Sequence, residues 1–343
     1  MTDARYPEYI QALLMPESYP HPVDSVELVQ THISFVLLAG DFVYKFKKPV
    51  DFGFLDFSTL EKRKQCCEQE LALNRRLSPE IYLGLVRVTK KDGAVKFDGG
   101  DDPVIEYGVK MRRMPEERMM VRVIERGELT PAHIQSLVDV LVPFYEQAER
   151  NKEIDSFGTA EAVSVNVLEN FEQTESFIDG GTLSQEQFDV ISSYARSVLE
   201  QKDLFQVRID AGRIRDCHGD LYSANICLAD KVYIYDCIEF NRRFRYCDVA
   251  SDVAFLAMDL DFHGLEELSA LFIDRFCEQS GDEGLRKMLN FYTCYRAYVR
   301  GKIGLFTASD PAVDPDVKEK NLKAAADYFF LARYYAEKGR AYA

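Results

Sequence analysis

Apolar positions come first in short extended runs and later in helical spacings. Phe35-Val-Leu-Leu38 is an extended run, Gly40-Asp41 marks a turn, and Phe42-Val-Tyr-Lys-Phe-Lys47 alternates, which puts Lys45 and Lys47 on one face of a strand. After Pro49, leucines at helical intervals in Glu70-Leu71-Ala-Leu73-Asn-Arg-Arg-Leu77 predict a helix ending near Ser78-Pro79. Val104 to Met114 reads as a strand that runs into Pro115-Glu-Glu. Beyond it the pattern is helical. Pro131 to Tyr145 carries three-four apolar spacing behind a Thr130 cap with Pro131 in the first turn, and Ser184–Leu204, Glu266–Cys277 and Lys318–Lys338 are further helices. Lys231-Val-Tyr-Ile-Tyr235 is a short apolar strand between them.

Composition bounds the class. With 343 residues and 47% hydrophobic content the chain can bury a large core and divide into two lobes. A net charge of −15 disfavours nucleic acid and anionic membranes as partners, since both select basic surfaces. No stretch approaches eighteen apolar residues, and Met1-Thr-Asp-Ala-Arg5 lacks the apolar core of a signal peptide, so a cytoplasmic protein is expected. Cys217, Cys227, Cys237 and Cys247 recur at ten-residue steps that match no zinc pattern, and Cys66-Cys67 diverge on a helix; the eight cysteines read as reduced thiols.

The chemistry concentrates in Cys217-His-Gly-Asp-Leu-Tyr-Ser-Ala-Asn225 and in Asp236, which the 231–235 strand delivers. Phosphoryl transfer needs a carboxylate beside the attacking hydroxyl and hard oxygen ligands for the magnesium on the nucleotide phosphates. Asp220 fits the first role. Asn225, five residues on, and Asp236 fit the second. A His-Gly-Asp turn with a nearby Asn also arises as an ordinary Asx-type loop, so the spacing gains its weight from the strand aspartate and the helix downstream of it.

His218-Gly219-Asp220-x4-Asn225 resembles the catalytic loop of the aminoglycoside phosphotransferase and choline kinase families, with Gly where protein kinases carry Arg. Asp248-Val-Ala-Ser-Asp252-Val-Ala resembles the helix from which, in those families, an aspartate anchors the loop from behind. The resemblance implies that Asp252, with His218, supports the loop. It further implies an α+β, protein-kinase-like two-lobed fold: an N-lobe over residues 1–114, with an antiparallel sheet, one helix and a nucleotide-binding Lys/Glu pair, and a mainly helical C-lobe over 115–343 with the catalytic loop, metal site and acceptor site. ATP and Mg2+ are the implied cofactors.

In such an N-lobe Lys45 is the strand lysine for the α and β phosphates and Glu70 its helix partner; for Lys47 and Lys48 a basic strand edge that discourages aggregation is the competing reading. No Gly-x-Gly-x-x-Gly lies between the first two strands, so phosphate contact falls to the backbone and the Thr31 or Ser34 hydroxyls of the Thr31-His-Ile-Ser34 turn. The hinge, with adenine against backbone at Met111 to Met114, is positional. Thr31–Ser34, Val43–Pro49, Phe52–Thr59, Asp236–Asn241 and Tyr295–Lys302 together are similar to a bacterial aminoglycoside-phosphotransferase-like family, some members of which carry a second, P-loop kinase domain. No Gly-x4-Gly-Lys-Ser/Thr occurs here, so the stand-alone form is expected.

The resemblance implies a reaction type and leaves the acceptor open. A small molecule bearing a hydroxyl is expected; a cationic one would suit acidic walls, for which Glu239, Asp259 and Asp261 are the candidates. Residues 155–178, with Gly180 and Gly181 just beyond, read as packed helix or as part of an acceptor site or lid. Tyr295, Arg296, Arg300 and Lys302 read as a helix face that reaches a phosphate or an anionic acceptor, is merely solvated, or pairs with the abundant acids. A protein-directed kinase or nucleotidyltransferase and a nucleotide-binding pseudokinase are the alternatives, the latter because the glycine-rich loop is missing. Nothing in the sequence sets the oligomeric state or the preference for ATP over GTP.

Overall fold

The computed structural model describes residues 6–341 other than 54 and 312; Met1 to Arg5, where a signal peptide was sought, and Phe54 of the Phe52–Thr59 run lie outside the described residues. The chain forms two compact units, Met1–Met119 with Ala229–Arg242, and Met120–Leu228 with Arg243–Ala343. Chain order alone puts 229–242 with the second part. The fold groups it with the first, where Ile234 exchanges hydrogen bonds with the Ser78 hydroxyl and the Cys237 N–H donates to Asn74 Oδ1.

The first unit begins with α1 (Glu8–Leu13), then β1 (Val26–Gln30), β2 (Ser34–Ala39), β3 (Phe42–Lys47), α2 (Leu60–Asn74), β4 (Tyr82–Lys91), β5 (Ala94–Phe97) and β6 (Val104–Arg112). The strands make one antiparallel sheet in the order β1-β2-β3-β6-β4-β5. Period-two alternation sends Phe35, Leu37 and Ala39 of β2, Tyr44 and Phe46 of β3 and Val86 and Val88 of β4 into one core with Tyr9, Ile10 and Leu13 of α1. Lys45 and Lys47 therefore point to the opposite face. β3 lies between β2 and β6, so the strand-edge reading of Lys47 is corrected: its side chain is wholly buried inside the sheet's second face.

Helix α2 starts at Thr59, whose hydroxyl accepts from the Lys62 N–H. Its buried stripe is Arg63, Cys66, Cys67, Glu70, Leu71 and Asn74, a helical spacing in which half the positions are polar. Each of those polar groups has a partner: Arg63 pairs with Glu106, Glu70 with two lysines, and Asn74 holds the Cys237 N–H. In the later segment of this unit residues 232–234 form β9 (Val232–Ile234) and lead into Asp236.

The second unit comprises α3 (Met120–Glu125), α4 (Pro131–Gln147), α5 (Lys152–Ser156), α6 (Ala160–Thr174), α7 (Gln185–Leu199), α8 (Lys202–Asp210), β7 (Ile214–Asp216), β8 (Ile226–Leu228), α9 (Arg242–Arg245), β10 (Tyr246–Asp248), α10 (Val249–Phe262), α11 (Glu266–Ser280), α12 (Leu285–Ser309) and α13 (Pro315–Ala341). β7, which runs into the 217–225 loop, pairs antiparallel with β10, which runs into α10. The single helix expected over 184–204 breaks at Glu200-Gln201 into α7 and α8; the second segment carries the buried Arg208 to Asp248 and Asp282. Residues 155–178 are mostly helix, α5 and α6. α13 lies close against α12 at Gly301 and Gly304, where an added Cβ would come within 2.7 Å of the Phe329 ring and 2.9 Å of Ala325 Cβ. No helix among the described residues is long and apolar enough to cross a membrane.

Candidate functional site

In the first unit the chemistry is a buried charge network. Lys45 Nζ lies 2.9 Å from Glu70 Oε1 and 2.5 Å from Asp236 Oδ1. Lys47 takes the other Glu70 oxygen, Oε2, at 2.6 Å and also pairs with Glu239. Cys66 Sγ donates to the same Glu239 oxygen at 3.3 Å. Burial opposes the charge on Glu70, but Lys45 and Lys47 outweigh it and hold the carboxyl below its ordinary range. The same balance acts on the lysines: burial pulls both down, and Asp236, Glu239 and Glu70 raise them above the usual lysine value.

Asp236 sits at φ +62°, a left-handed conformation that costs a non-glycine residue roughly 1–3 kcal/mol and survives only where surroundings fix it. They do so here: the Asp236 N–H donates to Tyr82 Oη at 3.1 Å and the Cys237 N–H to Asn74 Oδ1 at 2.8 Å. The Asp236 side chain is 44% exposed, whereas Glu70 is fully enclosed. Thr31 Oγ1 accepts the Ile33 and Ser34 N–H groups and so closes the β1–β2 turn. Ser34 is wholly buried, and its hydroxyl has no hydrogen-bond partner among the described residues. Met111 stands in β6 opposite Val43 and Tyr82, and Met114 lies just past the strand's end.

In the second unit two aspartates of α10, Asp252 and Asp259, hold the 217–225 loop, and a third, Asp248, caps the helix. Asp248 caps α10, accepting the Ala250 N–H at 2.9 Å, and is held by Arg208 at 2.7 Å. Asp252, wholly buried, accepts the His218 N–H at 2.7 Å, the Gly219 N–H at 2.9 Å and the Tyr145 hydroxyl at 3.2 Å. Asp259, two turns further along the same face, accepts the Ser223 N–H at 2.9 Å. Gly219 has φ +89°, where any side chain would be strained, so the Gly of His-Gly-Asp is a backbone requirement. His218 Nδ1 accepts the Asp220 N–H at 3.3 Å, and Asn225 Nδ2 donates to Asp220 O at 2.9 Å and to Asp220 Oδ2 at 3.0 Å. With its donors spent on Asp220, Asn225 keeps Oδ1 as its acceptor.

The three carboxylates read as walls for a cation are all engaged inside their own units: Glu239 with Lys47, Asp259 with Ser223, and Asp261 with the Tyr335 hydroxyl. Of the readings open for Arg296, pairing with an acid is the one the structure shows: it is 6% exposed, lies 3.4 Å from Asp252 Oδ1, and donates to Ser251 O at 3.2 Å and Gly219 O at 2.9 Å. Lys302 donates to Gln173 Oε1 at 2.9 Å; burial pushes its ammonium down to about 8, with Glu169 opposing and Arg243 adding. We expect Lys302 in the reductively methylated protein to titrate near that value by NMR, and an ordinary lysine midpoint would remove its desolvation.

Hard oxygens suit a magnesium ion. The partly exposed Asp236 carboxylate and Asn225 Oδ1 are of that kind; among the described residues no group of three or more His, Cys, Asp or Glu side chains is placed to hold a metal by itself.

No protein-family model matches the sequence. Uncharacterized proteins of Mycobacterium tuberculosis (strain H37Rv) and Mycobacterium bovis are each 35% identical over 291 residues, 82% of this chain and 56% of theirs, so the chain spans just over half the length of these relatives. Among solved structures, the amicoumacin kinase hAmiN, in complex with AMP-PNP and Ca2+, matches with a TM-score of 0.55 at 14% identity, covering 94% of each chain. A choline/ethanolamine kinase family protein from Mesorhizobium loti matches at 0.50 and 12% over 96% of this chain and 98% of its own. The spectinomycin phosphotransferase APH(9)-Ia, in complex with ADP and spectinomycin, matches at 0.50 and 10% over 95% and 97%. The chain has the kinase-like α+β fold of these proteins.

Proposed function

We propose that this chain is an ATP-dependent phosphotransferase that moves the γ-phosphoryl group to a hydroxyl of a small molecule. The observation that carries the reading is the closed loop around Asp220: its backbone is pinned by His218 and Asp252 while its carboxylate accepts from Asn225. A carboxylate so fixed is oriented before the substrate arrives, the condition under which positioning and proton acceptance lower a barrier.

Asp220 takes the proton as the acceptor oxygen attacks the γ-phosphorus, the new P–O bond forms, and the bond to the β-phosphate oxygen breaks, releasing ADP. Lys45, held by Glu70, is assigned to the α and β phosphates, with Thr31 and backbone amides covering them and the strand end at Met111 to Met114 facing adenine. Asn225 and Asp236 are the oxygen ligands assigned to Mg2+, which when bound neutralises phosphate charge. The solved relatives by fold are kinases and a phosphotransferase, two of them with nucleotide bound, and this supports the reading.

The test is incubation of the purified chain with γ-labelled ATP, Mg2+ and a small-molecule extract. Label passing to a metabolite supports the proposal; label on a protein band favours a protein-directed kinase, label released as pyrophosphate favours a nucleotidyltransferase, and nucleotide binding with neither favours a pseudokinase. Asp236→Ala is expected to weaken Mg-ATP binding at least tenfold while leaving metal-free nucleotide binding much closer to wild type. Unchanged Mg-ATP affinity by calorimetry would remove Asp236 from the metal site.

A further inference from the structure

Four arginines are buried among the described residues, and each has a carboxylate: Arg63 has Glu106, Arg208 has Asp248 and Asp282, Arg245 has Asp216, and Arg296 has Asp252. Arg300, one turn beyond Arg296 on α12, is different. Its guanidinium lies 4.6 Å from the Tyr222 ring centroid and 5.6 Å from that of Tyr328, and it makes no ion pair among the described residues. Its Nε is buried without a hydrogen-bond partner.

Both rings of the cage are themselves stacked. Tyr222 stacks on Phe255 with rings 5.4 Å apart and 10° from parallel, and Tyr328 stacks on Phe262 at 3.8 Å and 10°. Ring faces attract a guanidinium but give its N–H groups no oxygen to bond. The Tyr328 hydroxyl takes only part of its donor capacity, so the cation is held in place with Nε–H left over. A buried N–H without an acceptor calls for a partner. Tyr222 is two residues from Asp220, and although burial opposes the charge on Arg300, Tyr222, Tyr328 and Asp220 all favour it. A permanently charged fork therefore lies within electrostatic reach of the proposed catalytic carboxylate.

We infer that Arg300 is an anion-binding residue of the acceptor site, and that the acceptor is an anionic alcohol: a small molecule carrying a carboxylate, sulfate or phosphate group near the hydroxyl that meets Asp220. This inference rests on the proposed role of Asp220. Of the acceptor charges left open by the sequence it selects the anionic one, and it agrees with the internal engagement of Glu239, Asp259 and Asp261.

The experiment tracks the Arg300 Nε–H resonance in the full chain labelled with 15N-arginine, assigned by its loss in Arg300→Gln. Three small alcohols of different charge are titrated at constant ionic strength: glycerate, glycerol and choline. A saturable shift with glycerate, at least tenfold tighter than any response to glycerol or choline, is expected. No shift with glycerate, or an equal shift with choline, overturns the inference. The readout involves no phosphoryl transfer, so the two ideas fail separately. If choline accepts label from ATP while Arg300 stays silent to glycerate, the phosphotransferase reading stands and the anionic acceptor falls. If glycerate binds at Arg300 but no label ever moves, the anion site stands without that reading.

Discussion

Asp220→Asn is expected to lower phosphoryl transfer roughly a hundred- to ten-thousand-fold, the range associated with loss of a positioned proton acceptor, while Mg-nucleotide affinity stays within about threefold of wild type, a bound set by the small change an isosteric substitution makes to binding. The substitution is nearly isosteric, and the contacts that shape the loop survive it. Asp252 holds the His218 and Gly219 N–H groups, and His218 receives the backbone N–H of residue 220, neither through the side chain being changed. Asn225 Nδ2 also bonds the backbone oxygen of residue 220, and the new amide can still turn an oxygen toward it. Single-turnover transfer of labelled phosphate measures the first quantity and calorimetry the second. A variant as fast as wild type, or one that no longer binds nucleotide, would remove Asp220 from the role assigned to it.

The alternation in β2 and β3 was readable because it is local: residues two apart share a face whatever the rest of the sheet does. The same pattern could not show that β3 is an inner strand. Its position between β2 and β6 comes from pairing with residues more than sixty positions away, and that pairing turns Lys47 from an edge cation into a buried one. The helix around Glu70 was visible through its leucines, but its core-facing stripe uses Arg63, Glu70 and Asn74, and a polar residue facing inward looks like a solvated one until its partner is known. Arg296 was left between readings for the same reason. Glu239, Asp259 and Asp261 looked like open carboxylates because their partners, Lys47, Ser223 and Tyr335, are 36 to 192 residues distant. The 217–225 motif was legible because its residues are contiguous, and Asp252 could be read with it because the Asp248-Val-Ala-Ser-Asp252 run resembles a known anchoring helix, whereas Asp259, further along α10, could not.

Lys47→Met is expected to destabilise the first unit by about 3–5 kcal/mol, the cost of removing one partner from a buried ion pair, and to weaken nucleotide binding although Lys47 is not assigned to any phosphate. Lys47 neutralises Glu70 and Glu239 together, and Lys45 depends on the same Glu70. Without it, two enclosed carboxylates share Lys45 with Asp236, and the lysine is drawn away from the place its pairing now gives it. Adding Glu239→Gln to Lys47→Met returns the cluster to its original net charge and should recover more than half of the lost stability. Failure to recover would mean that packing of the lysine stem outweighs its charge. The pH dependence has a definite sign. Glu70 is held below its ordinary range, so it contributes stability that is present above the unfolded carboxyl value and is lost as pH falls through the folded one. In Lys47→Met, burial of Glu70 is opposed by one lysine fewer, so its carboxyl rises and its protonation relieves the variant. Denaturant unfolding should therefore show the gap between wild type and Lys47→Met widest near neutrality and narrowing as pH drops through the carboxylate range; a gap independent of pH would mean that the network is not what Lys47 stabilises.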